Sequence, residues 1–466
     1  MAQASTFLGG AKGRLLAVQI PFRFFGTAVL CHALAWLVLL AAADEVSVFA
    51  HGLGWPLAAL HLVTLGVLVM TAVGASLQLL PVATRQSLVA SGWPYDAIWA
   101  ALSLGVGTLT LGMGLARPAL LLWGALLVGV ALLGYLWLLA RNLLGAKGMA
   151  LVVGHAWGAA LWLLLVLATA AALVGAYHGQ ADLLAWLAPT RGAMLSLHLS
   201  LAAYGLMGLL VMGFSYILVP MFALSDNPSP RWSRASLGLV LLGLAAAGLA
   251  LRGGTTPALG GVWLLAVVAG LVALSIHVGL MLHALRTGMR QGLGKPFVLV
   301  RLGWAALLAS LAWALAREAG LQPPWGGAVL GLLLVGGLLT FLLGVLSRIV
   351  PFLASMHAGA GQRRAPTPSS LTAQRALDLH FYCHCVAMPL LLLALVLAQP
   401  WLVRLGAVVG LVGAGAFAWF FATAWQRMRN MMAAKAQPAL AGAGSSNADA
   451  AQAVRARNTQ ELRQIN

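Results

Sequence analysis

The sequence predicts an all-α integral membrane protein of twelve transmembrane helices, and three observations support this. Hydrophobic residues make up 62% of the 466 residues, and charged residues only 8%. Apolar runs of about 20 residues, long enough to cross a hydrocarbon core of ~30 Å, recur along the chain. Basic residues concentrate on alternate connections between these runs. A water-soluble fold is excluded, because so apolar a chain must face lipid or other apolar helices.

The apolar runs are numbered as helices 1 to 12 in chain order. Their predicted ranges are 22–43, 55–81, 95–115, 118–140, 149–176, 192–223, 235–251, 260–285, 296–316, 324–353, 376–398 and 401–426. The membrane domain therefore covers 22–430 and follows an N-terminal segment, 1–21. The tail, 431–466, is rich in Ala, Gln, Asn and Arg, so we expect it to be mobile.

The formal charge of +18 follows the predicted membrane topology. With twelve helices, the two termini and the even-numbered connections lie on one side and hold 22 of the 27 basic residues. The other side holds Arg117, Arg191, Arg252, Arg317 and Arg404. The positive-inside rule makes the basic side cytoplasmic. The expected location is a bacterial inner membrane, with lipid and not nucleic acid as the partner of the charged surface.

Helices 2, 6 and 10 share a pattern in which Gly precedes Pro by seven residues. The three copies are GASLQLLP at 74–81, GFSYILVP at 213–220 and GVLSRIVP at 344–351. The Gly suits a closely packed inner helix, and the Pro is expected to stop or kink that helix. Copies four helices apart predict three pseudo-symmetric four-helix units about an axis normal to the membrane. These units cover about 22–140, 149–285 and 296–426.

Two of these helices carry a histidine near the predicted external end. His61 lies 20 residues before Pro81, and His198 lies 22 residues before Pro220. Both are about six residues from the start of their helix, or roughly 9 Å below the interface. Two imidazoles at one depth could hold a haem iron axially. The alternative is that each histidine packs between helices and bonds to a neighbouring carbonyl or hydroxyl.

These motifs resemble the catalytic subunit of the haem-copper oxidase and nitric oxide reductase superfamily. That subunit has twelve helices in three pseudo-symmetric arcs and a haem-ligating histidine near the external end of helix 2, where His61 lies with Gly74 and Pro81. His198 is similar to the family's His-to-Pro spacing, although it lies on helix 6. The resemblance implies haem b, with copper as a further cofactor, and a cytochrome or another membrane subunit as a partner.

The resemblance does not extend to the dinuclear centre of that family. Its copper site requires three histidines, but helix 7, SLGLVLLGLAAAGLAL, has none. Helix 10 lacks the His-x-His pair and has Gly331 at the position that would correspond to His61. The chain is therefore closer to oxidase-like orphan proteins and NnrS-like haem and copper membrane proteins than to an enzyme that reduces dioxygen.

A second group of histidines is expected near the cytoplasmic face. It comprises His155 on helix 5, His277 and His283 on helix 8, and His380 and His384 on helix 11. His380 and His384 share one helical face because they are four residues apart, and the run His-Phe-Tyr-Cys-His-Cys offers soft ligands for copper or haem. The candidate metal ligands are His380, His384, His283 and His155. The alternative is interfacial histidines bonded to water or lipid headgroups, and Cys31 and His32 are interpreted as packing residues.

All nine acidic residues fall in loops, at helix ends or in the tail. Proton pumps and ion-coupled carriers generally need a buried carboxylate, so this distribution argues against redox proton pumping. The predicted function is that of a haem-binding membrane protein with a redox role or one related to nitric oxide or oxygen. The alternative is a non-redox carrier or an assembly factor that retains the fold without cofactors.

Overall fold

The structure is a computed structural model of the chain, and it describes residues 14–49, 52–87, 92–252, 257–360 and 365–462. Every regular element in these ranges is a helix. Twelve of the helices are long and apolar enough to span a membrane, which confirms the predicted class and helix number. In order, they are Gln19–Ala41, Trp55–Thr84, Gly92–Gly114, Pro118–Leu144, Ala150–His178, Arg191–Ala223, Pro230–Arg252, Gly260–Thr287, Lys295–Glu318, Gly326–Gly359, Gln374–Leu397 and Pro400–Ala434.

Helix 12 extends further towards the C-terminus than the apolar pattern predicts. Helix 12 continues as one helix to Leu462, so the predicted tail 431–466 starts inside it. Residues 463–466 and the first 13 residues of the N-terminal segment lie outside the described ranges. The mobility of the tail stays a prediction.

Consecutive helices pack as antiparallel neighbours, as short connections require. Helix 3 packs on helix 4, helix 7 on helix 8 and helix 11 on helix 12, while helices 1, 5 and 9 pack on helices 2, 6 and 10. Helix 12 also packs on helix 1, so the first and last spans of the chain are neighbours.

Helices 2, 6 and 10 form the inside of the bundle. In the most apolar part of these helices 67%, 83% and 72% of the residues are buried, against 28–44% in the other nine. Glycine allows this packing: a Cβ at Gly74 would stand 2.6 Å from the Cβ of Phe24 on helix 1. Gly344 packs in the same way on Leu299 of helix 9. The prediction that the glycines mark closely packed inner helices is confirmed.

The repeated prolines lie inside their helices rather than at the ends. Helix 2 continues three residues past Pro81 to Thr84, and helix 6 three residues past Pro220 to Ala223. Helix 10 runs past Pro351 as far as Gly359. The prediction was that Pro stops or kinks the helix; a stop is wrong, and a kink stays a prediction. A proline is accommodated within these helices because buried neighbours surround it.

Each inner helix contains a π-helical segment that the sequence did not predict. These segments are Leu62–Val69 in helix 2, Leu201–Gly208 in helix 6 and Leu332–Gly336 in helix 10. Each contains a further Gly eight residues before the repeated Gly, namely Gly66, Gly205 and Gly336. π-Helical turns are rare and occur frequently at functional sites, which directs attention to the residues beside them.

Candidate functional site

His61 precedes the π-helical segment of helix 2. It is half-buried, and its Nδ1 lies 3.0 Å from the carbonyl oxygen of Leu57, one turn earlier. A carbonyl can only accept, so this contact assigns the proton to Nδ1. The lone pair of Nε2 is then free to bind a metal.

His198 lies on helix 6, three residues before the π-helical segment that starts at Leu201 and thus two positions earlier than His61 lies on helix 2. Its Nδ1 lies 3.0 Å from the hydroxyl of Thr169 on helix 5. That hydroxyl donates its proton to carbonyls of its own helix, at 2.9 Å from the oxygens of Leu165 and Val166. Its oxygen therefore accepts from Nδ1–H of His198, and Nε2 again keeps its lone pair.

The two imidazoles lie within the range over which two protonated rings would repel each other. Both are half-buried on inner helices, and in both Nδ1 is held by an oxygen. This is the arrangement found for metal-bound histidine, whose second nitrogen usually donates to a carbonyl or other oxygen. The two residues that the repeat pattern selected thus share one hydrogen-bond arrangement on two inner helices.

The four candidate metal ligands do not form one group. His155 is fully buried on helix 5, with Nδ1 2.8 Å from the carbonyl oxygen of Leu151. His380 and His384 contact each other on helix 11, with ring centres 5.8 Å apart. His283 is exposed on helix 8. In the described ranges no three His, Cys, Asp or Glu residues are arranged to hold a metal ion.

His155 belongs instead to a buried aromatic cluster. Its ring packs on Tyr216 of helix 6 at 5.4 Å between centres, and Tyr216 packs on His277 of helix 8 at 5.0 Å. His277 in turn faces Trp304 of helix 9 at 6.5 Å. Sequence reasoning missed Tyr216 and Trp304. The depth of a residue along its helix can be predicted from the sequence, but the helix that it faces cannot.

Several polar atoms of this aromatic cluster have no hydrogen-bond partner among the described residues. They are Nε2 of His155, both ring nitrogens of His277, the hydroxyl of Tyr216 and Nε1 of Trp304. Ser233 and Ser236 of helix 7 lie beside the Tyr216 hydroxyl without bonding to it in acceptable geometry. Buried groups of this kind are usually satisfied, so the cluster is a polar site inside the bundle.

His380 and His384 belong to a different group, which includes His32 of helix 1. The ring of His32 stands 6.2 Å from that of His380. The sequence alone predicts a packing role for His32. One signal in the sequence could have identified it as a member of this group. His32 lies 13 residues into helix 1, and His384 lies ten residues into helix 11. Because odd-numbered helices cross the membrane in the same direction, the two residues lie at similar depth.

The inner helices enclose a small apolar cavity of about 50 Å³. Helices 2, 6, 9 and 10 line it, and its polar lining residues are Thr71, Ser215 and Arg348. The volume exceeds the roughly 10–15 Å³ that one water needs, but apolar walls favour a dry cavity or a small apolar guest.

The acidic residues lie where the sequence predicted. Six of the seven whose exposure is described are exposed, and Asp378 is half-buried. Three make ion pairs at helix ends: Arg23 with Asp96, Lys295 with Asp378, and Arg404 with Asp44. No carboxylate among these described residues is buried within a span.

In the part of the chain that the structure describes, the fold is all-helical and has twelve helices long and apolar enough to span a membrane. No protein-family model matches the chain, and no curated protein matches it.

Proposed function

We propose that this chain is a haem-binding membrane protein in which His61 and His198 would hold the haem iron. The observation that carries the proposal is the hydrogen-bond arrangement of the two imidazole rings. Each Nδ1 is held by an oxygen, and each Nε2 is left free. Both rings also precede a π-helical segment of an inner helix.

The residues present fit a haem b. Both imidazoles are half-buried, so Nε2 is open to a ligand outside the closed core. The chain has three cysteines and no Cys-x-x-Cys-His motif, so the macrocycle would be held without a covalent link. When bound, the iron would supply one-electron redox chemistry. A haem held by both His61 and His198 would suit electron transfer better than a direct reaction with oxygen or nitric oxide.

The proposal includes the fold-level expectations that the helix count alone leaves open. Three four-helix units are supported by the Gly and Pro pattern, by the three π-helical segments and by the burial of helices 2, 6 and 10. The distribution of basic residues supports cytoplasmic termini in a bacterial inner membrane. A divergent member of the haem-copper oxidase superfamily, with a cytochrome or membrane subunit as electron partner, would have these features.

The test is the visible spectrum of the purified full-length protein in detergent, with iron and copper measured by elemental analysis. We expect a Soret band and about one iron per chain, and His61→Ala and His198→Ala should each remove or shift the band. His283→Ala is the matched control, because His283 is exposed on helix 8. A wild-type protein with neither band nor iron would contradict the proposal, as would a band unchanged in both variants.

The apolar cavity favours one alternative, a non-redox carrier or assembly factor. It lies between the inner helices, where a path for a small apolar molecule would run. The same spectrum distinguishes the two functions: a folded protein without haem that equilibrates a small apolar solute across vesicles would establish the carrier.

A further inference from the structure

Three imidazoles meet deep inside the bundle, away from His61 and His198. They are His32 of helix 1 and His380 and His384 of helix 11, with only 2%, 1% and 3% of their surface exposed. The rings of His380 and His384 are 5.8 Å apart, and the ring of His32 stands edge-on to His380. Buried histidines without a carboxylate partner are costly in a membrane and are usually functional.

Hydrogen bonds fix which nitrogen of His380 is free. Its Nδ1 lies 3.0 Å from the carbonyl oxygen of Gly413 on helix 12, so the proton is on Nδ1. Nε2 is buried, carries the lone pair and has no partner in the described structure. Gly413 allows this approach, because a Cβ there would stand 2.8 Å from the Cβ of Cys383.

His384 is fixed in the opposite tautomer. Its Nε2 lies 2.8 Å from the hydroxyl of Thr340 on helix 10, and that hydroxyl donates to the carbonyl of Gly336 at 2.7 Å. The hydroxyl proton is therefore committed, and its oxygen accepts from Nε2–H of His384. The lone pair of His384 is then on Nδ1.

The third ring, His32, has an N–H donor as its free nitrogen. Nε1–H of Trp36 donates to Nε2 of His32 at 3.0 Å, so the proton of His32 must be on Nδ1. This Nδ1–H is buried and has no acceptor among the described residues. The group therefore presents two lone pairs and one N–H donor.

We propose that Nε2 of His380 and Nδ1 of His384 bind one transition-metal cation, and that copper(I) is the metal that fits. Two imidazoles sharing a metal at about 2 Å per bond hold their ring centres roughly 5–6 Å apart, which 5.8 Å satisfies. Histidines four residues apart on a helix present both rings to one ion. This site is independent of the haem proposal.

Charge and ligand number select copper(I) over a divalent ion. Zinc in a structural site requires four protein ligands, whereas this group offers two lone pairs. No carboxylate contacts the three rings in the described structure, so a monovalent ion costs less to bury than a divalent one. Copper(I) accepts two imidazole nitrogens as a low-coordinate ligand set, and imidazole suits copper.

The experiment measures copper(I) bound by the full-length protein in detergent, after metal removal by a chelator. Copper(I) alone is added without oxygen, in competition with a coloured copper(I) chelator. The background variant replaces Cys31, Cys383 and Cys385 by Ser, so that thiols do not contribute. We expect one equivalent in this background, lost in His380→Gln and in His384→Gln but kept in His283→Gln.

Retention of the equivalent in both helix 11 variants would overturn the site, and so would a background protein that binds none. Gel filtration restricts the comparison to folded variants. Because haem is read by its Soret band and copper by the competing chelator, failure of one proposal is distinguishable from failure of the other.

Discussion

Gly213 of helix 6 lies so close to His155 of helix 5 that a Cβ at residue 213 would stand 2.8 Å from the Cβ of His155. This contact joins the repeated glycine pattern to the buried aromatic cluster of His155, Tyr216, His277 and Trp304. The glycine that lets the inner helix approach its neighbour thus also sets the position of a buried polar ring.

Gly213→Ala should therefore destabilise the protein. The added methyl group must displace His155 or separate the helices, and such overpacking costs about 1–3 kcal/mol. Thermal unfolding in detergent measures the effect. Gly129→Ala is the control, because nothing lies within 4 Å of a Cβ at that position of helix 4. Equal midpoints for the two variants would contradict the packing role of Gly213.

The bond between Ser76 and Tyr135 predicts a measurable coupling between helices 2 and 4. The two hydroxyl oxygens are 2.9 Å apart in a buried site, and Ser76 also bonds to the carbonyl of Val73. Polar bonds between membrane helices contribute about 0.6 kcal/mol on average. A double-mutant cycle of Ser76→Ala and Tyr135→Phe should give a coupling energy of that order, whereas additive losses would show that the bond contributes nothing.

The helices themselves were predictable because a membrane span needs about 20 apolar residues, a demand that can be read directly from the chain. The inner helices were predictable as well. A repeated glycine such as Gly74, Gly213 or Gly344 allows close helix packing, which a lipid-facing position does not need. Residues His61 and His198 were selected because they share a depth on two such helices.

The sequence of one helix does not show which neighbouring helix a side chain faces or which residue it contacts there. The contact between His32 and His380 needs helix 1 to lie beside helices 11 and 12, which only the closed bundle provides. Tyr216 between His155 and His277 was missed for the same reason. The π-helical segments have no known sequence rule, although Gly66, Gly205 and Gly336 repeat in step with them.

The proposed topology predicts which loops are reached from outside. Asp182, between helices 5 and 6, and Met289, between helices 8 and 9, are both exposed. In a background with the three native cysteines replaced by Ser, Asp182→Cys should react with a membrane-impermeant maleimide on intact cells. Met289→Cys should react only after permeabilisation. The reverse pattern would place the termini outside.

The apolar cavity predicts opposite effects of two similar substitutions. Ala75 of helix 2 lines the cavity of about 50 Å³, so Ala75→Val should fill space and leave stability unchanged or raised by about 0.5–2 kcal/mol. Ala159 of helix 5 is fully buried and does not line it, so Ala159→Val should cost about 1–3 kcal/mol by overpacking. Thermal unfolding of both variants provides the comparison. If Ala75→Val is the more destabilising, the cavity is not open to that side chain.

The Thr169 hydroxyl holds Nδ1 of His198, so a substitution at Thr169 can separate haem binding from folding. This prediction rests on the proposed haem site. Thr169→Val keeps the shape of the side chain but removes the oxygen that accepts from Nδ1–H. Loss of such a partner weakens metal binding by roughly 10–100-fold, because the ring is no longer oriented and its Nε2 becomes less basic. Titration of the haem-free protein with haem, followed by the Soret band, measures the change in Kd. Thr110→Val on helix 3 is the control, since the hydroxyl of Thr110 bonds to carbonyls of its own helix. If both variants bind haem as the wild type does, Thr169 does not orient a ligand.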